Sequence, residues 1–145
     1  MKVEQLLIRK GTRIISVRMD ETVETAARML RRENIGAVVV KDVCGTEGDT
    51  IVGMLSERDF LRAIVDSGPE ILKKPVSRLM SRPVISCSPR DDVDHVIELF
   101  NRHHIRHVPV IDQEALIGVV SIRDVIAADI VAAAEVEPAR QRSVA

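Results

Sequence analysis

Serine, arginine and aspartate recur at one spacing in two places, in GMLSERD (Gly53 to Asp59) and in GVVSIRD (Gly118 to Asp124). If a strand delivers the chain into a helix at Ser56 and Ser121, the first turn of each helix carries a partial positive charge and unpaired N–H groups, which favour an anion such as phosphate. The serine hydroxyl can donate to a phosphate oxygen, and Arg58 or Arg123 adds a fixed cation with a forked donor set. Asp59 or Asp124, three residues past the serine, can accept from both hydroxyls of a ribose. Hydroxyl donor, cation and diol acceptor within one turn suit a ribose 5′-phosphate. The same residues also make a capping box, with Asp in place of Glu or Gln. Capping alone does not call for arginine before the aspartate twice.

Other candidates for chemistry are thinner. RHHIRH, Arg102 to His107, has three histidines but no carboxylate or cysteine nearby to complete a metal set, so no metal site is expected. Cys87 reads as a small buried hydrophobe, and Cys44, in a loop, as a thiol with nothing evident to lower its pKa. No phosphate-cradling glycine loop is present, and a Ser-His-Asp set could be assembled only arbitrarily, so no catalysis is expected.

The two motifs belong to an internal repeat. A shift of 70 places Ile15-Ser16 on Ile85-Ser86, Val23 on Val93, Ile35 on Ile105 and Val38 on Val108; past Asp42 the shift becomes 65, and Ser56 falls on Ser121. The excess lies in VCGTEGDT, Val43 to Thr50, whose glycines and acids mark a longer loop. Each copy reads β-α-β-β-α. The opening strands are expected at Ile14–Val17 and Val84–Cys87. Apolar residues at 23, 26, 27 and 30, and at 93, 96, 97 and 100, mark one buried helical stripe in each copy. AVVV (37–40) with TIVGML (50–55), and HVPVI (107–111) with ALIGVV (115–120), supply the second and third strands. Pro109 suits only an edge or a bulge. The fold class is therefore α/β (α+β), two such repeats packed through their sheets with pseudo-twofold symmetry, since one copy alone has little core. The expected divisions are 1–67 for the first repeat with an N-terminal lead-in helix, 68–83 for a proline-bearing linker, 84–134 for the second repeat and 135–145 for a frayed tail.

Composition narrows the function. With 21 basic and 22 acidic residues the net charge is −1, which points to neither a nucleic-acid nor a membrane partner. Phe60 and Phe100 are the only aromatics of the Phe, Tyr and Trp set, too few to stack the bases of a single strand. No apolar run nears the ~20 residues that span a bilayer. The N-terminus lacks a secretory pattern and the two cysteines lack a disulfide or CxxC framework, so a soluble, cytoplasmic protein is expected.

IGAVVVKD and IRHVPVID, with VGMLSERD and IGVVSIRD, give the chain a resemblance to tandem CBS-domain pairs, or Bateman modules, over roughly residues 14 to 130. It looks most like small stand-alone bacterial CBS-pair proteins. The resemblance implies a non-catalytic sensor, dimeric, that binds AMP, ADP, ATP, NAD(H) or S-adenosylmethionine in clefts between the repeats and signals to a separate effector. Carried over by residue, it implies one site with Ser121, Arg123, Asp124, Arg106 and His107, completed by Thr22 and Ala27. A second, poorer site has Ser56, Arg58, Asp59, Gly36 and Ala37, where Asp92 and Ile97 stand in the places of Thr22 and Ala27. Adenine would lie against aliphatic residues such as Val17, Cys87, Val38 and Val108. The alternative is a ligand-independent dimerisation scaffold whose Ser-x-x-Asp turns only cap helices.

Overall fold

The computed structural model describes the backbone of residues 1–11, 13–42 and 50–143, and side chains as far as residue 135. Along the chain run α1 (Val3–Lys10), β1 (Ser16–Arg18), α2 (Val23–Glu33), β2 (Ala37–Asp42), β3 (Thr50–Ser56), α3 (Glu57–Ser67), α4 (Val93–His103), β4 (His107–Asp112), β5 (Ala115–Ser121) and α5 (Ile122–Ser143). Short 3-10 turns at Pro69–Lys73 and Val76–Arg78 lie between α3 and α4. They form two compact units, one of Ile14–Ile85 and one of Met1–Arg13 with Ser86–Ala145. The backbone of 135–143, expected as a frayed tail, is helical.

The first-repeat unit is a three-stranded sheet, β1 parallel to β2 and β2 antiparallel to β3. Its core joins Val17, Val38, Val40 and Leu55 of the sheet to Val23, Ala26 and Leu30 of α2, Phe60 of α3, and Val76 and Met80 from the segment after α3. Each of these side chains except Ala26 contributes about 1.5–3 kcal/mol by leaving water. AVVV does not alternate because Val38, Val39 and Val40 are all buried: both faces of β2 are covered.

The second-repeat unit keeps the β4–β5 hairpin and both helices, but its opening strand, expected over Val84–Cys87, shrinks to one bridge, Cys87 to Val110. In the first repeat the Val39 N–H donates to the Ile15 carbonyl (3.2 Å) and the Met19 N–H to the Lys41 carbonyl (2.9 Å). Seventy residues on, those donors are Pro109 and Pro89, which have no N–H. Only the bonds of Cys87 N–H to Pro109 (3.0 Å) and of Ile111 N–H to Cys87 (2.8 Å) survive. In α4 the buried stripe uses Val93, Val96, Leu99 and Phe100, with Ile97 left exposed where the spacing placed it inward.

Helix α1 packs in the unit of the second repeat. The Val3 N–H donates to the Asp91 carbonyl, Glu4 to Pro89, and Val93 to Met1, each at 2.9 Å. The segment after α3 makes the equivalent bonds in the first-repeat unit, from Val76 to Glu21, Ser77 to Met19 and Val23 to Lys74. The motif glycines serve this contact. A Cβ on Gly118 would stand 2.6 Å from Leu7 Cδ2, and one on Gly53 would stand 2.9 Å from Met80 Sδ and 3.0 Å from the Ser81 carbonyl. They let a lead-in segment lie against the third strand.

Candidate functional site

Both Ser-x-x-Asp turns are formed capping boxes. The Ser121 N–H and hydroxyl donate to Asp124 Oδ2 (2.7 and 3.0 Å), while the Asp124 N–H donates to Ser121 Oγ (3.3 Å). Ser56 and Asp59 repeat the pattern at 2.8, 3.1 and 3.4 Å. The start of each second strand completes the turn, because the Ile122 N–H donates to the Arg106 carbonyl (2.9 Å) and the Glu57 N–H to the Gly36 carbonyl (3.0 Å). His107 stands opposite Ser121 in the β4–β5 ladder, and Ala37 opposite Ser56 in β2–β3. The structure thus gathers Arg106, His107, Ser121, Arg123 and Asp124 at one strand-to-helix turn, and Gly36, Ala37, Ser56, Arg58 and Asp59 at the other. Thr22 and Ala27 belong to the first-repeat unit, where Thr22 caps α2 by accepting from the Thr25 N–H (3.2 Å). Two N–H groups expected to greet an anion, those of Ile122 and Asp124, already have partners; the turn's main asset is its carboxylate.

Each carboxylate also has a partner that sequence reasoning missed. Ser81 donates its N–H to the Met54 carbonyl (2.8 Å) and its hydroxyl to Asp59 Oδ1 at a long 3.4 Å. In the second-repeat unit one ammonium does both: Lys10 Nζ, at the end of α1, donates to the Val119 carbonyl and pairs with Asp124 Oδ2 at 2.7 Å. Their side chains are 30% and 19% exposed, so water screens this pair less than a surface pair. A separation of 114 residues leaves no local pattern to reveal it.

Asp92 is not a bare acid. Lys2 Nζ lies 2.8 Å from it, and that hydrogen bond and charge hold its carboxyl below the ordinary range. The histidines of 102–107 join no group of three or more His, Cys, Asp or Glu able to hold a metal among the described residues. Cys44 lies outside the described residues. Among those residues no helix is long and apolar enough to cross a membrane.

The CBS-domain family model matches residues 3–66 and 76–130. The chain belongs to the CBS-domain family. Among solved CBS-domain structures, it is 35% identical to ATU1752 of Agrobacterium tumefaciens, with a TM-score of 0.82 over 88% of this chain and 92% of that one. PAE2072 of Pyrobaculum aerophilum, complexed with AMP, is 30% identical, with a TM-score of 0.74 over 86% and 89%. The CBS domain pair of protein MJ0100, in complex with 5′-methylthioadenosine and S-adenosyl-L-methionine, is 25% identical, with a TM-score of 0.73 over 86% and 92%.

In this CBS pair the buried Cys87 is inert. Burial, with Asp91 a smaller cause, pushes its thiol up to about 12. The unfolded chain releases the proton near 9, whereas the folded chain keeps it. The contribution of this thiol to stability is therefore full below about pH 9 and is lost between about 9 and 12, by about 1.4 kcal/mol per pH unit at most. Denaturant melts across that range should show a slope that Cys87→Ala reduces, the remainder coming from lysines such as Lys2; an unchanged slope in the variant contradicts the assignment.

Proposed function

We propose that this CBS pair is a regulatory module that binds an adenosine-containing small molecule and does no chemistry of its own. The observation that carries the reading is the paired carboxylate turn, Ser121–Asp124 and Ser56–Asp59, in a fold whose relative PAE2072 holds AMP. Asp124 and Asp59 take the ribose hydroxyls, and Arg123 and Arg58, with Arg106 and His107 at the first of these sites, face the phosphate. Thr22 and Ala27 join the Asp124 site on the family resemblance. Of the ligands, AMP and S-adenosylmethionine come first, ahead of ADP, ATP and NAD(H). The protein acts as a cytoplasmic homodimer on a separate effector. Matching exposed apolar pairs, Leu61 and Val65 on α3 and Ile126 and Ile130 on α5, support the dimer.

Ligand that prefers the folded chain stabilises it by RT ln(1 + [L]/Kd), about 2.7 kcal/mol at a hundredfold excess over Kd. Thermal melts with AMP, ADP, ATP, NADH and S-adenosylmethionine should therefore rise for at least one of them. No rise with any at millimolar concentration defeats the reading. One observation favours the scaffold alternative: both serine–aspartate pairs are engaged in capping boxes. A scaffold predicts that Asp124→Ala costs about 1 kcal/mol of stability and changes no ligand response.

A further inference from the structure

We infer that Lys10 is a displaceable internal occupant of Asp124, so that a ribose must expel it and binding frees the end of α1. This rests on the proposed nucleotide reading. Asp124 Oδ2 already accepts from the Ser121 N–H, the Ser121 hydroxyl and Lys10 Nζ, three donors on an oxygen with two lone pairs. A ribose diol that grips both carboxylate oxygens needs one of those donors to leave. Of the two Ser121 donors, the N–H is fixed by the backbone, and the hydroxyl is held in the cap by accepting from the Asp124 N–H (3.3 Å). Lys10 is the donor that can leave: it sits on a four-carbon stem, is 30% exposed, and regains hydration when released. Its departure also frees the Val119 carbonyl and lies next to Gly11, whose φ of +89° ends α1. Helix α1 itself stays anchored through buried Val3, Leu6 and Leu7. At Asp59 the corresponding partner is a neutral hydroxyl at 3.4 Å, so the lock belongs to one repeat only.

Adenosine, which has the ribose and no phosphate, isolates the competition. Amide-resolved NMR titrations of the full chain would follow Ser121 in the wild type, Lys10→Met and Lys10→Arg. Met keeps the stem and the packing, so it should bind adenosine about fivefold more tightly, the scale of one partly exposed ion pair. Arg should return the affinity to the wild-type value. Raising salt should tighten adenosine binding to the wild type and leave Lys10→Met unchanged, an effect that a merely structural role would not give. If Lys10→Met binds adenosine no more tightly while the wild type still binds, the lock is wrong and the nucleotide reading stands. If neither adenosine nor AMP shifts Ser121 in any of the three proteins, both fall.

Discussion

Leu55→Ala is expected to lower the unfolding free energy by about 2–5 kcal/mol, a large share of the roughly 5–15 kcal/mol that holds a domain folded. Leu55 is fully buried, faces Val38 across the β2–β3 ladder and joins the core that links the sheet to α2 and α3. Truncation removes its transfer free energy and leaves a hole between β-branched neighbours whose restricted χ1 keeps them from easily filling it. Ile8 on α1, 81% exposed, is the control, and Ile8→Ala should cost less than about 0.5 kcal/mol. Urea melts of the two variants decide the matter. Equal losses would mean that the first-repeat unit is not held together by this core.

Asp124→Ala is expected to weaken AMP binding by at least about a hundredfold. Two hydrogen bonds to a charged acceptor contribute about 1.5–3 kcal/mol each, and every 1.4 kcal/mol is tenfold. The substitution also breaks the capping box, so folding stability drops by about 1 kcal/mol. Asp124→Asn separates the two effects, since its amide oxygen can still accept the Ser121 N–H while the charge is gone. It should keep most of the stability and lose much of the affinity. Asp59→Ala should weaken AMP binding less, because Gly36 and Ala37 replace the Arg106 and His107 side chains at that turn. Calorimetric titrations that found equal losses at Asp59 and Asp124 would overturn this ranking.

Much of this was legible in local patterns. The helical stripes of α2 and α4 and the Ser-x-x-Asp caps follow from spacings of three and four residues, and the structure places α2, α3, α4 and α5 accordingly. What escaped depends on partners far apart in the chain. Pro109 reads as an edge or bulge residue, but its consequence, the loss of the strand before it, needs the pairing with Cys87 and a second proline at 89. The glycines of GMLSERD and GVVSIRD looked like part of a binding motif. Their tight contacts with Met80 and Leu7 show that they admit the lead-in segments, a requirement visible only once those segments are docked. Asp92 reads in the sequence only as an acid in the place of Thr22, because its partner Lys2 lies 90 residues away. The same distance effect hid Lys10.

Titration of the isotope-labelled wild-type chain with AMP decides whether the Ser121–Asp124 turn holds a nucleotide. Saturable shifts of the Ser121, Arg123 and Asp124 amides are expected, lost in Asp124→Ala while the rest of the spectrum stays folded. Saturable AMP binding that leaves these amides unmoved, or no binding at millimolar AMP, would contradict the nucleotide reading.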